Sequence, residues 1–412
     1  EVIMQYTRYD VEEFVREHDV KFVRLAFCDI FGNQKNISVV PQQLPKAFEY
    51  GISFDASAVK GFMNVENSDL LLKPDPATMC VLPWRSHDGT VIRMFCDIYK
   101  PDGTPFTASG RYILKSACGH AREMGYTCRV GTECEFYLFL ADKDGAPTLT
   151  PLDRGGYFDI YPLDRGENVR REICNTLTEM GLNPERSHHE QGPGQNEIDF
   201  RHSEPVSAAD NLVTFRWIVS NVAQANGLAA SFDPKPLEGE SGNGLHVNIS
   251  LQKDGENIFS EAGGMRRDAK SFIAGVMRRA AEIAAFTNPL PQSYDRLGSC
   301  EAPKYITWSR GNRSQLIRLP YADEAGRRIE LRSPDPSCNP YLVFALIIEA
   351  GLEGIRENLQ LEDACDMNMF RVEDGKYPSL PGDITAAANL ARKSAFVERV
   401  LSREVTEKFL ER

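Results

Sequence analysis

Polar and apolar residues alternate along Lys21-Phe22-Val23-Arg24-Leu25-Ala26-Phe27-Cys28-Asp29 and again over residues 35–40, with a turn at Phe31-Gly32-Asn33 between them. Period-two alternation around a glycine turn predicts a β-hairpin. Residues 11–18 space their apolar positions like a short amphipathic helix, residues 51–62 read as a loop, and residues 79–83 and 91–99 read as further strands. A helix set among hairpins predicts a small α+β domain over residues 1–100, ended by the Pro- and Gly-bearing stretch 100–105. In the remainder, residues 101–412, the pattern predicts a helix over 110–124 that leads into a strand over 131–139. Helices follow near 169–180, 208–225, 269–287 and 340–358, and no repeat of 20–50 residues is apparent, so a larger α+β domain is expected.

Composition narrows the classes. The 412 residues are 42% hydrophobic and 26% charged, which is globular usage, and the length favours two cores over one. A formal net charge of -12 argues against nucleic acid as a partner, because such binding needs Lys and Arg to displace phosphate counterions. Ten cysteines are scattered without a C-x-x-C pair and read as reduced thiols of a cytoplasmic protein. No apolar run reaches the ~20 residues of a membrane span, and no signal peptide is expected. The chain opens on Glu1 rather than Met, so native residues are expected before it.

The chemistry collects on five segments. In Gly131-Thr132-Glu133-Cys134-Glu135-Phe136-Tyr137-Leu138-Phe139 a pleated strand places Glu133 and Glu135 on one face. Two buried carboxylates repel, so the pair needs a cation, an arginine or a shared proton; exposed, it is an ordinary solvated face. Residues 188–200 bring Glu190 and Glu197 around a Gly-Pro-Gly turn. Residues 241–250 alternate His246, Asn248 and Ser250 with apolar Val247 and Ile249. Residues 327–332 do the same with Arg328, Glu330 and Arg332, and residues 293–320 gather Arg296, Glu301, Arg313 and Arg318. Five carboxylates with a lone histidine and no thiol suit Mg²⁺ or Mn²⁺ rather than structural zinc. The arginines suit a ligand carrying phosphates and carboxylates, and together these point to metal-assisted phosphoryl transfer.

These residues carry a resemblance. From about residue 21 to 401 the chain resembles type I glutamine synthetases, through Phe54-Asp55-Ala56-Ser57-Ala58-Val59-Lys60-Gly61-Phe62, the Glu133 strand, residues 188–200, Phe232-Asp233-Pro234-Lys235-Pro236, and residues 242–251, 288–303, 312–314 and 328–341. The resemblance implies a β-grasp domain, then a catalytic domain whose antiparallel sheet forms a metal-lined barrel with flanking helices. It implies active sites between subunits of two stacked hexameric rings. The implied reaction is ATP-dependent ligation of ammonium to the side chain of glutamate through an acyl phosphate.

By position, Glu135, Glu190 and Glu197 would hold one metal, and Glu133, His246 and Glu330 the second. Arg296 and Arg332 match glutamate-binding arginines, with Gly242 lining that pocket, and Arg313 matches the arginine that stabilises the transferring phosphoryl group. Arg318, Arg328, Asn248 and Ser250 match nucleotide-side positions, and His202 the ring that stacks on adenine. Asp55 would deprotonate ammonium, with Tyr157 and Glu190 completing that pocket, and Glu301 would lie on the flap that excludes water.

The departures concern the substrate and assembly. Asp55-Ala56-Ser57-Ala58 stands where the family usually has Asp-Gly-Ser-Ser, the flap is one residue shorter and carries Ser299-Cys300, Asn248 replaces a histidine, and Ser241 replaces an asparagine. Phe370 stands where regulated members carry the modified tyrosine, and the tail is short, so weaker joining of the rings is expected. Two alternatives stay open here: a γ-glutamyl ligase that uses an organic amine or polyamine, and a catalytically weak regulatory or assembly protein.

Overall fold

In the computed structural model, which describes residues 6–84, 89–260 and 264–411, the alternating runs at the start of the chain join one sheet. Helix α1 (Arg8–Glu17) opens on a capping box: Thr7 Oγ1 accepts from the Asp10 N–H, and the Asp10 carboxylate accepts from the Thr7 N–H. Strands β1 (Val20–Cys28) and β2 (Gln34–Val39) form the predicted hairpin. After α2 (Leu44–Glu49) come β3 (Ile52–Asp55), β4 (Asp69–Pro74), β5 (Cys80–Val81) and β6 (Thr90–Tyr99). The order is β2-β1-β6-β4-β3, with β5 on β6 and with β1 parallel to β6. This is a β-grasp arrangement. Strand β3 lies inside the stretch read as a loop. Strand β4 escaped the pattern because Leu70-Leu71-Leu72 is a continuous apolar run rather than an alternation.

The second sheet is built on β7 (Tyr126–Ala141), which is longer than the nonapeptide predicted and runs through its centre. The order is β14 (Trp308–Arg310), β15 (Ile317–Leu319), β16 (Ile329–Leu331), β12 (Leu245–Lys253), β7, β10 (Gln195–Phe200) and β9 (Pro184–His189). Strands β8 (Pro147–Pro151) and β11 (Leu228–Ser231) also pair with β7, and β13 (Glu256–Asn257) pairs with β12. All of these pairings but β14 with β15 are antiparallel, and the sheet curls into a half-barrel.

Helices α3 (Gly110–Glu123), α4 (Glu167–Glu179), α5 (Pro205–Ala225), α6 (Arg267–Arg279), α7 (Ala284–Thr287), α8 (Pro291–Arg296) and α9 (Pro340–Arg356) accompany this sheet. The single helix predicted over 269–287 is two, α6 and α7. Its ladder breaks where the Ala280 N–H turns to the Met277 carbonyl, three residues back, while Arg279 ion-pairs with Glu282 and Glu353. Beyond α9, the helices α10 (Ile384–Lys393), α11 (Ala395–Leu401) and α12 (Arg403–Leu410) were not predicted, although Asp383, Ser394 and Ser402 each cap one of them. Among the described residues no helix is long and apolar enough to cross a membrane. The first sheet is tied to α3 and α5 by the buried guanidinium of Arg111 on α3, which reaches Asp97 at 2.6 Å and Asp75 at 2.8 Å on one side and Asp210 of α5 at 3.1 Å on the other. This seam holds paired rather than stranded charge.

Candidate active site

The antiparallel register lays the charged residues of the second sheet in rungs. One rung reads Arg186, Asp199, Glu133, His246 across β9, β10, β7 and β12. The next reads His188, Glu197, Glu135, and on the other side Asn248, Glu330 and Arg318 share a third across β12, β16 and β15. Residues paired across a ladder point to the same face, so three rungs deliver their charges to one side of the sheet. There they meet a cavity of about 530 Å³, lined by Glu133, Glu135, Glu190, Glu197 and His246 and walled by Arg296, Arg313, Arg318, Arg328 and Arg332.

The donor atoms are close enough to share cations. Glu133, His246 and Glu330 each offer one atom within 4.8 Å of the others, as do Glu135, Glu197 and His246, and also His188, Glu190 and Glu197. His246 is the common vertex of the first two groups, and Glu197 joins the second to the third. Carboxylate oxygens with an imidazole and no thiol fit Mg²⁺ or Mn²⁺.

Electrostatics agree with this. Burial pushes Glu135 up to about 7, against Arg296 and the Gly244 N–H, and burial together with the charge of Glu135 pushes Glu190 up to about 8. Burial and then Asp199 raise Glu197 well above the carboxylate range. Glu133 goes the other way: burial would raise it, but hydrogen bonds from His246 (3.1 Å) and Asn248 (3.0 Å) hold it low. Carboxyls raised by burial and then by one another's charge make a site prepared for positive charge.

Second contacts fix these groups. Gln195 Nε2, fully buried, donates to Glu135 Oε2 at 3.1 Å and to the Gly242 carbonyl at 3.2 Å. A Cβ at Gly242 would stand 2.3 Å from the Pro234 carbonyl oxygen, so only glycine lets this backbone run along the cavity. Arg296 donates to the Ser333 and Arg332 carbonyls. Arg332 and Arg318 both bind Glu330, which has no exposed surface and lies beneath them. Asn248 accepts from Arg328 Nε at 2.8 Å while donating to Glu133.

At the mouth, Tyr157 and Phe158 stack at 4.0 Å and set their edges against His188. Their loop is held by Asp153, whose Oδ1 accepts from the Gly155 and Gly194 N–H groups and from His189 Nε2 at 2.9 Å. His189 Nδ1 faces the Glu190 carbonyl at 2.7 Å, so both ring nitrogens meet acceptors; burial opposes the charged ring, but the bonds to Asp153 and the Glu190 carbonyl raise its pKa. Asp153, Asp164 and His189 also lie within cation-binding distance of one another, but Arg170 and the Gly166 N–H already occupy Asp164.

Five expected residues do not line the cavity; two of them, Asn248 and Glu330, face each other across β12 and β16. Ser250 is buried on β12 beyond Asn248. His202 lies over β7, where a Cβ on Gly131 would strike its ring at 2.2 Å; burial and Arg328 lower it to about 4. Asp55 is exposed at the end of β3 in the other sheet, accepting from the Ser57 N–H and hydroxyl. Glu301 does reach the cavity, on a turn where Cys300 and Glu301 have φ of 46° and 64°, and accepts from Gln191 Nε2 at 3.4 Å. The pattern missed Asp199, Arg186, Gln195 and Asp153. Asp199 was the legible one, since it stands two residues after Glu197 on the same strand face.

Comparison with known proteins follows the same outline. The β-grasp domain description of glutamine synthetase matches residues 19–101, and its catalytic domain description matches residues 107–412. A glutamine synthetase of Clostridium saccharobutylicum is 46% identical over 411 residues, 97% of this chain and 93% of that protein. One of Methanosarcina mazei is 45% identical over 413 residues, covering 98% and 92%. Among solved structures, a GmaS/ADP complex superposes with a TM-score of 0.89 at 30% identity, covering 98% of this chain and 94% of that one. A Plasmodium falciparum glutamine synthetase, 24% identical, shares the fold with a TM-score of 0.87 over 98% and 94% of the two chains.

Proposed function

The chain belongs to the glutamine synthetase family, and we propose that it joins ammonia to the side-chain carboxylate of L-glutamate at the expense of ATP, through γ-glutamyl phosphate, giving glutamine, ADP and phosphate. The observation that carries this reading is the meeting of three carboxylate and imidazole groups with five arginines around one cavity. Ammonia is favoured as the acceptor over an organic amine, and catalysis over a purely structural role, by full-length relatives that are glutamine synthetases at 45–46% identity.

Two divalent cations are assigned here, Mg²⁺ or Mn²⁺. Glu133, His246 and Glu330 would hold the one on the nucleotide side, and Glu135, Glu190 and Glu197 would hold the one on the glutamate side. The ions supply charge neutralisation during phosphoryl transfer. The chain's own residues do the positioning. Arg296 and Arg332 receive the carboxylates of glutamate, and Gly242 lets that substrate approach the backbone. Arg313 faces the transferring group from the mouth, Arg318 and Arg328 take the nucleotide phosphates with Asn248 and Ser250 behind them, and His202 offers a neutral ring to the base. Tyr157 and Glu190 border the ammonium pocket, and Glu301 on its strained turn closes over the acyl phosphate against water.

Asp55, exposed on the small domain, is assigned as the base for ammonium from a neighbouring copy, in an assembly of hexameric rings. This agrees with its place on the other sheet, outside the lining of its own chain's cavity. The division at residues 100 and 101 into two domains and a cytoplasmic location belong to the same reading.

Purified protein with Mg²⁺, ATP and glutamate is expected to release phosphate when ammonium is added. Release that requires a polyamine or another organic amine, or no release with any amine, overturns the assignment. Mixing Asp55→Ala and Glu330→Gln subunits is expected to restore part of the activity that each lacks alone, because mixed assemblies contain some intact sites between subunits; no recovery counts against a shared site.

A further inference from the structure

Asp199 is used by nothing described so far. Its side chain is 5% exposed and lines the cavity, directly across the ladder from Glu133 and two residues from Glu197 on the same face. Its Oδ2 accepts from Arg186 Nε at 2.9 Å, and the Arg186 side chain is 67% exposed. Its Oδ1 is buried and has no hydrogen-bond donor among the described residues. A buried acceptor without a donor costs free energy unless a ligand supplies one. Asp199 belongs to none of the three-residue groups whose atoms lie within 4.8 Å of one another, so it is not placed as a direct ligand beside two others. Its neighbours, however, are one ligand from each of the two cation sets. Mg²⁺ usually keeps several water ligands, and a metal-bound water is a hydrogen-bond donor.

Resting on the two-cation reading above, we propose that Asp199 Oδ1 accepts hydrogen bonds from the water ligands of the divalent cations between Glu133 and Glu197, making Asp199 a positioning residue that sets cation affinity. Arg186, bonded to the second oxygen at the cavity rim, is then only a solvent-screened counter-charge that competes with the cations for Asp199. Outer partners of this kind typically contribute 10- to 100-fold to metal affinity.

The test is Mn²⁺ titration of the purified protein by calorimetry and by the EPR signal of free Mn²⁺, with melting followed in parallel in chelator and in Mn²⁺. Asp199→Asn keeps the shape and an acceptor for Arg186 but removes the charge. It is expected to weaken Mn²⁺ binding at least ~10-fold, to melt in chelator no lower than wild type, and to gain less from added Mn²⁺. Arg186→Gln, at an exposed position, is expected to bind Mn²⁺ as tightly as wild type or more tightly.

Equal Mn²⁺ affinity in wild type and Asp199→Asn overturns the proposal. So does unchanged Mn²⁺ affinity with a raised KM for ATP, which would give the oxygen to a nucleotide hydroxyl. Equal weakening in Asp199→Asn and Arg186→Gln also overturns it, because the pair would then be a structural brace. Wild-type protein that binds no Mn²⁺ overturns the two-cation reading and this inference together.

Discussion

Arg318 Nη1 donates to Glu330 Oε2 at 2.5 Å while Arg332 holds the other oxygen, so one carboxylate without exposed surface is shared by two guanidinium groups. A cation that takes Glu330 as a ligand competes with both arginines, and removing the carboxylate leaves buried Arg332 and partly exposed Arg318 without it. Glu330→Gln is expected to lower ammonium-dependent phosphate release by at least ~100-fold, the scale of losing one preorganised charge at a reacting phosphoryl group. It should also cost about 3 kcal/mol in denaturant unfolding, because one partner of a buried ion pair is gone. Activity within a few-fold of wild type would remove Glu330 from the metal set.

Burial, with the charge of Glu133 added, puts the Glu135 carboxyl at about 7, and burial with the charge of Glu135 puts Glu190 at about 8. A cation that binds them must displace protons, so divalent affinity is expected to rise with pH from about 6 to about 8 and then level off. The sign for folding is opposite. Both pKa values are raised, so the folded protein holds more protons than the unfolded chain, and in chelator its stability should fall as pH rises from about 4.5 to about 8. Calorimetry of Mn²⁺ binding in two buffers of different ionisation heat measures the released protons; zero release at pH 7 would contradict the raised carboxyls.

Much of the site was legible because alternation survives in it. Glu133 with Glu135, and His246 with Asn248, each stand two apart on strands whose other face is apolar, and the metal-suited set followed from residue type. The rungs were not legible, because the register that sets Asp199 beside Glu133 and Asn248 beside Glu330 depends on pairings across more than 60 residues of chain. The break at Ala280 is tertiary, made by ion pairs of Arg279 with no glycine or proline to announce it. Helices α10 to α12 carried capping signals but short apolar stripes, so their existence was readable only from Asp383, Ser394 and Ser402.

Glu353, buried on α9, gathers Arg278 and Arg279 of α6 and Arg399 of α11. Burial alone would raise its carboxyl, but the hydrogen bonds from Arg399, Arg279 and Arg278 more than offset it and bring it down to about 2. A lowered pKa gives stability that is present above the unfolded value near 4.5 and lost as pH falls toward 2. Because the arginines are partly in solvent, Glu353→Gln should cost about 2 kcal/mol at pH 7, less than a fully buried pair. The deficit should shrink toward pH 2 in urea titrations. A constant deficit across that range would mean that packing, not charge, is lost.

Asn248 is oriented by its neighbours: Oδ1 accepts from Arg328 Nε at 2.8 Å and Nδ2 donates to Glu133 Oε1 at 3.0 Å, an arrangement that a flipped amide would turn into two repulsions. It therefore couples an arginine assigned to the nucleotide phosphates to a ligand of the nucleotide-side cation. Asn248→Leu keeps the bulk and removes both bonds, leaving Arg328 held only by the Gly326 carbonyl and Glu133 by His246. The KM for ATP is expected to rise about 10-fold, equivalent to about 1.4 kcal/mol, while the KM for glutamate stays within about twofold. Equal changes in both constants would place the defect in the strand rather than in the coupling, and an unchanged KM for ATP would show that Arg328 needs no amide to hold it.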